Sequence, residues 1–566
     1  MKKRLLLLCL VLLLVWLPAC GGAPAAPAAP PAAGGEPAGD ETPAAEEDKH
    51  LIVAVNPDYE SFDPAVTYEA YGMLILHACY DNLLEFVGSL DNLQAAAAES
   101  FETSADGLTY TFTLRPDVKF SSGNPLTAAD VKWSVERAIM IGGNAVFMAE
   151  GLEAIEAPDD ATVIFRLKET DPSFPVKLTY NFFSILDSKT AQEHGALSEE
   201  TLSGYFADGI AARMAAAPEA SVAAAVEDTA KIWLDSNSAG SGPYVIESYT
   251  PKVEVVLARN VNYWGETPYY DKITVSTITD PNAQAMMLQQ GDVDVAFNLG
   301  PEQINPLEGK EGVTVMDRQT LTASFLLMNR SEEIGGPIAD PLVQRAIRLA
   351  LDYPGIQSIA GVDTETPVAP FPLGLLGSLP PLDPAAYPQI ESAKALMEEA
   401  GFADGFAVDF YVPTTNIIGV DFVTLAQKIQ SDLAAIGITT TIVPEDIMIS
   451  LETYRNGQQP LGLWYWNPDY PDNNSQLAFM PGNSVGLRAN WAADMSPELA
   501  ALAAEAATTT GDAARIELFR QIQESMSEDS PFAMLMQHSG QYAIRAGLQN
   551  AEYIDRYYLD LKRING

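Results

Sequence analysis

Apolar and polar positions divide the chain into three stretches. Leu5–Leu17 is an unbroken apolar run behind Met1-Lys2-Lys3-Arg4, residues 20–48 show no apolar period, and from Leu51 short periodic segments alternate with turn residues. In this last stretch Leu51–Val55 reads as a buried strand and Ala70–Phe86 as a helix. Thr109–Leu114 alternates strictly after the Ala105-Asp106-Gly107 turn and reads as half of a hairpin. Thr127, with Asp130 three places on, predicts a capped helix running to about Met140. Further strands are expected at Thr162–Leu167, Val253–Arg259 and Ile273–Ile278, and the Ala-rich stretch Ala191–Asp235 reads as a helical insertion. Beyond Pro281 the rhythm becomes helix, glycine, strand. Ala283–Gln290 stops at Gly291 before Val293–Phe297, and Leu425–Ile436 stops at Gly437 before Ile438–Val443. Such alternation predicts an α/β protein.

The first two stretches concern targeting. A basic start followed by thirteen apolar residues makes residues 1–19 a signal peptide, since a membrane span needs about 20. Leu17-Pro18-Ala19-Cys20-Gly21 resembles the lipobox of bacterial lipoproteins, which implies cleavage before Cys20 and lipidation of its thiol. An ordinary signal peptide with an incidental cysteine is the alternative. Residues 20–48, rich in Pro, Ala and Gly, then form a disordered tether that extends to roughly 90 Å at most. The expected location is the cell envelope, on the outer face of the cytoplasmic membrane or in the periplasm, with the membrane reached through the N-terminal lipid anchor.

Composition narrows the chemistry. The 566 residues are 47 % hydrophobic and 19 % charged, a globular balance. Asp and Glu number 76 against 32 Lys and Arg, for a net charge of −44, and so acidic a surface repels phosphate backbones. No nucleic-acid partner is expected. Four His and three Cys are too few and too scattered for a zinc cluster or a disulfide framework, and no cofactor or metal is expected. Cys79, in an apolar stretch, reads as a packing residue.

Several motifs then recur in order. Glu99–Thr103, Leu114-Arg115-Pro116-Asp117-Val118-Lys119-Phe120 and Pro125–Val131 come first, then Gly240-Ser241-Gly242-Pro243-Tyr244 and Arg259–Gly265. Gln290–Asp294, Pro341–Ile347 and Trp466-Asn467-Pro468-Asp469-Tyr470-Pro471-Asp472 follow. Together they resemble the family 5 extracellular solute-binding proteins, the dipeptide and oligopeptide receptors of ABC importers. The resemblance implies a two-lobed periplasmic-binding-protein (flytrap) fold with an extra subdomain in lobe one. Mapped onto this chain, lobe one is 49–298 with the subdomain at about 65–180, lobe two is 299–530, and 531–566 returns to lobe one. It further implies a monomeric, non-enzymatic protein that captures peptides between the lobes and delivers them to ABC transporter permease subunits.

The resemblance also carries site residues. In the family the Asp of the Trp-x-x-Asp-Tyr motif takes the peptide ammonium, which points to Asp469. The motif Trp lines a side-chain pocket, which points to Trp466, with Trp464, Asn467 and Tyr470 as neighbours. Thr67, Tyr68, Glu69 and Ala70 fall where the opposite lobe supplies contacts. Each residue has a plainer reading: Asp469 as a turn former between Pro468 and Pro471, Trp466 as core. Asp292 and Asp294 read as structural, and Asp469, Asp472, Asn473 and Asn474 lack the spacing of a calcium loop. Leu463 stands where the oligopeptide receptor has an Arg for the ligand carboxylate, so that partner is open. Oligosaccharides, opines and nickel chelates are alternative cargoes on the same scaffold. A secreted serine hydrolase is the alternative of another kind, because Gly482-Asn483-Ser484-Val485-Gly486 fits Gly-x-Ser-x-Gly and His538 could serve as base.

Overall fold

The β-branched and aliphatic run that opens the folded part forms the strand His50–Val55, parallel to Lys272–Thr277 on one side and to Val295–Ala296 on the other. In this computed structural model, residues 49–57, 59, 61–216, 227–361 and 364–566 are described. The signal peptide 1–19, the tether 20–48, the lipidation residue Cys20 and part of the 191–235 stretch lie outside them. Among the described residues no helix is long and apolar enough to cross a membrane.

One ten-stranded sheet organises the chain. Its order is Ile438–Glu445, Phe406–Pro413, Leu461–Trp466, Val313–Met328, Phe532–Arg545, Val295–Ala296, His50–Val55, Lys272–Thr277, Glu254–Arg259 and Tyr244–Thr250. The two long central strands, Val313–Met328 and Phe532–Arg545, run antiparallel and join two bodies, each with its own core. Val53, Phe62, Ile75, Phe112, Tyr542 and Leu559 share the first core. Ile304 and Leu307 pack beside it with Ala54, Ala285 and Ala543. In the second body Leu326, Phe410, Leu463 and Leu535 form one core, and Phe325, Trp464, Phe479 and Phe532 another. Between the two bodies the ladder breaks. Gln319 pairs with Ser539 but the next pair is Ala323 with Gln537, so Thr320, Leu321 and Thr322 stand against the single residue His538.

The first body carries a second, antiparallel sheet in the order Ala98–Thr103, Thr109–Leu114, Thr162–Leu167, Leu152–Glu156. The helix Ala128–Ile141 starts where Asp130 accepts from the Thr127 N–H at 2.9 Å and ends at Gly142 in the left-handed region, φ 67°. Its Arg137 is wholly buried between Asp63 and Asp228. The C-terminal segment is pinned to the same body by Lys562, 2.9 Å from Asp81 and 3.3 Å from Glu85.

Three local expectations are corrected. The helix from Ala70 ends at Cys79 rather than Phe86, because Tyr80 is extended and Leu84–Phe86 pairs as a strand with Leu93–Ala95. Gly240 and Gly242 pack on that helix end so closely that a Cβ at either would meet the Cys79 or Ala78 carbonyl at 2.1 and 2.6 Å, which accounts for the Gly-Ser-Gly motif. The strand at 293–297 shortens to Val295–Ala296, and the Asp294 carboxylate accepts from the Ile52 N–H and pairs with Arg545. The 191–235 stretch is broken into short helices, among them Glu199–Tyr205 and Ala230–Leu234, whose Leu202, Ala230 and Leu234 enter the first core. Cys79 is a buried free thiol that burial pushes up to about 12, consistent with packing and not with reactivity.

Candidate functional site

The seam between the two bodies is built from one loop of each. In the second body the strand Leu461–Trp466 runs out into Asn467-Pro468-Asp469-Tyr470-Pro471, whose two prolines stop the ladder and hold the loop. The loop ends at Asp472, which caps the turn Asn473–Phe479 by accepting from the Asn474 N–H and lies 2.5 Å from Arg515. In the first body the segment Ser61–Glu69 is folded tightly on itself. Asp63 is locked by Arg137, and the Thr67 hydroxyl donates to the Ser61 and Asp63 carbonyls. Thr67 is buried, and beside it the Tyr68 side chain crosses the seam. Its phenol donates to Asp469 Oδ1 at 2.5 Å.

Other contacts cross at the same place. Lys177 Nζ lies 5.0 Å from the Tyr470 ring centre and 2.6 Å from Asp171, and the Thr170 hydroxyl donates to the Thr508 carbonyl at 2.6 Å. Asp469 and Tyr470 border two cavities. The smaller, about 130 Å³, is lined by Tyr68, Tyr180, Leu321, Asp555 and Arg556. The larger, about 780 Å³, is lined on the first-body side by Tyr68, Glu150 and Lys177, and on the other by Tyr454, Arg455, Trp466 and Arg488. Burial pushes the Asp469 carboxyl above its usual range, while the Tyr68 hydrogen bond and the charges of Arg488 and Arg556 pull it back. The Tyr68 phenol is raised by burial and then by Asp469, so it stays a donor. Tyr470 is raised by burial to about 12, against the pull of Lys177.

The sequence candidates separate. Asp469, Asn467, Trp466, Tyr470 and Tyr68 meet at the larger cavity. Trp464 also borders it, but as the back of the wall: it is 2 % exposed, stacked on Tyr454 at 4.1 Å, with its indole N–H donating to Gln459. Thr67 is buried with its hydroxyl spent on the backbone, and Glu69 accepts from the Tyr68 N–H; neither lines either of these two cavities. Ala70 is the first residue of the helix Ala70–Cys79. Sequence reasoning missed Lys177, Tyr180, Arg455, Arg488 and Arg556, none of which sits in a motif. The one signal was the run Asp555-Arg556-Tyr557-Tyr558, dense in charge and aromatics near the C-terminus.

The hydrolase geometry does not form. Ser484 faces the larger cavity, but no strand leads into it, and His538 is buried with Nε2 2.5 Å from the Ser324 hydroxyl. Among the described residues no cluster of three or more His, Cys, Asp or Glu is placed to hold a metal ion.

Against known proteins, the model of the bacterial extracellular solute-binding proteins, family 5 middle, matches residues 92–486. A protein of Escherichia coli (strain K12) named "Probable D,D-dipeptide-binding periplasmic protein" is 26 % identical over 512 residues, spanning 88 % of this chain and 91 % of its own. Di/tripeptide-binding protein 2 of Pseudomonas aeruginosa (strain UCBPP-PA14) is 28 % identical over 514 residues, 86 % and 90 % of the two chains. Among solved structures, HbpA2 from Haemophilus parasuis superposes with a TM-score of 0.75 at 22 % identity, over 91 % of this chain and 99 % of that one. The two-bodied α/β architecture is thus that of the periplasmic binding proteins.

Proposed function

The chain belongs to the bacterial extracellular solute-binding proteins of family 5, and from that premise we propose that it captures peptides in the cavity between its two bodies. It hands them to the permease subunits of an ABC importer, and is held at the membrane as a monomer by a lipid on Cys20. The observation that carries the reading is Asp469, a carboxylate kept partly desolvated at the seam, with one oxygen taken by Tyr68 and the two cavities at its sides. A desolvated carboxylate favours a partner that brings a positive charge, and a peptide offers its α-ammonium. Trp466 supplies the wall for the neighbouring side chain. In this reading the lobes divide at Thr320–Thr322 and His538, where the ladder breaks, rather than at Asn298 and Pro531. Ligand contacts from both sides then favour the closed arrangement.

Calorimetry on parent and Asp469→Asn, each with a free-amine peptide and its N-acetyl form, tests the assignment. Removing one member of a buried charge pair costs roughly 2–5 kcal/mol, or about thirtyfold to several thousandfold in Kd. Acetylation removes the same charge from the other side, so the two losses should be strongly non-additive. Affinity should also fall as pH drops through the raised pKa of Asp469, since only the carboxylate pairs with ammonium. Were Asp469→Asn to bind the free-amine peptide as tightly as the parent, Asp469 would be a turn residue and nothing more.

A further inference from the structure

We propose that Arg488 and Arg455 form an anion subsite that selects peptides bearing an acidic side chain near the amino terminus. The inference rests on the peptide reading of the larger cavity. Both arginines line its second-body wall, and neither pairs with a described carboxylate. The chain holds 76 acidic residues to 32 basic ones, so acidic partners are not scarce. Elsewhere in the same body Arg330 pairs with Asp529, Arg345 with Glu528 and Arg515 with Asp472.

The guanidinium of Arg488 lies over two aromatic faces instead, 4.8 Å from the Tyr454 ring centre and 5.7 Å from that of Trp466. Stacking fixes the plane of a guanidinium and leaves the N–H groups at its edge free for a bidentate acceptor. On the same wall the Trp466 indole N–H is buried without a partner, a further donor awaiting an acceptor. The charge of Arg488 is felt at Asp469, so an ammonium held there carries its first side chains toward these donors. The carboxylates on the cavity wall are Asp469 and Glu150, and neither pairs with the two arginines. A glutamate or aspartate side chain supplies the missing acceptor. The terminal carboxylate of a short peptide has the same chemistry, and the test separates the two.

Four peptides suffice: Glu-Ala, Gln-Ala and the C-terminal amide of each, titrated calorimetrically into parent, Arg488→Met, Arg488→Lys and Arg455→Gln. Methionine keeps the stem packed on the rings, and thermal unfolding without ligand checks that each variant folds. Arg455 is exposed, so its variant keeps the question open should Arg488→Met not fold. The parent is expected to bind both glutamate peptides at least tenfold more tightly than their glutamine counterparts. That preference should shrink severalfold in Arg488→Met and Arg455→Gln and return in part with Arg488→Lys. A loss that follows amidation and ignores Glu against Gln overturns the side-chain subsite and gives the arginines to the terminal carboxylate. Equal binding of all four peptides overturns the subsite while leaving the peptide reading intact. Binding of none overturns both.

Discussion

Arg137 offers the sharpest test of how the first-body half of the site is held. Its guanidinium makes two bonds to Asp63, at 2.9 and 2.7 Å, and two to Asp228, at 2.8 and 3.0 Å. Arg137 is 1 % exposed and Asp63 not at all. Each carboxylate retains one backbone donor besides, Ala65 N–H for Asp63 and Leu197 N–H for Asp228. Arg137→Met fills much of the space but strands two buried carboxylates on one N–H apiece. Breaking a buried pair costs about 3–5 kcal/mol, and with two acids stranded the upper end is expected. Urea denaturation at pH 7 should show that gap between variant and parent. Adding Asp63→Asn and Asp228→Asn should recover most of the loss. Because Asp63 opens the turn that presents Tyr68, peptide affinity should fall as well, even where the variant is fully folded. A variant within about 1 kcal/mol of the parent would refute the reasoning.

Two further outcomes are expected. Cys20→Ser should leave the precursor uncleaved by the lipoprotein peptidase and shift the protein out of the detergent phase; unchanged partitioning and migration would rule out the lipid anchor. His538 is kept neutral by burial, with Arg318 adding to it, at a pKa of about 3 against an ordinary 6.5. The unfolded chain therefore takes up a proton first as pH falls below 6.5, and stability drops by about 3 kcal/mol by pH 4 from this group alone. His538→Gln should flatten that part of the profile in urea titrations at pH 7 and pH 4, and an unchanged slope would show that the imidazole is not the cause.

What the sequence disclosed and what it withheld follow one physical division. Where a decision is local it was legible: the cap at Thr127 and Asp130, the strands at Thr109–Leu114 and Thr162–Leu167, the prolines that put Asp469 in a turn. Where a distant residue decides, it was not. The apolar spacing of Leu76, Cys79, Leu83 and Leu84 continues a helical stripe, yet the helix stops at Cys79, where Gly240 and Gly242 close on its end, Leu84–Phe86 pairs with Leu93–Ala95 and Asp81 meets Lys562, 481 residues away. Lys177, Tyr180 and Arg556 carry no local signal of a site, since they become neighbours of Asp469 only when the tail and both bodies are assembled. The ladder break at 320–322 was hidden for a related reason, because the slip is a property of the pairing between Val313–Met328 and Phe532–Arg545.

That slip ties the site to the fold's freedom of movement. The strand that ends in Trp466 pairs with the crossing strand from Ala323 to Met328, immediately beyond the unpaired Thr320–Thr322. Asp469 is therefore carried by the part of the sheet that a rotation at 320–322 and 538 would move, while Tyr68 is carried by the part that would stay. Leu321 donates its N–H to Asp555, next to Arg556, so the break is itself anchored beside the smaller cavity. In the proposed reading, closure and the meeting of Tyr68 with Asp469 are one event. A ligand that binds both loops draws its selectivity for the closed state from contacts that exist only when the two bodies are together.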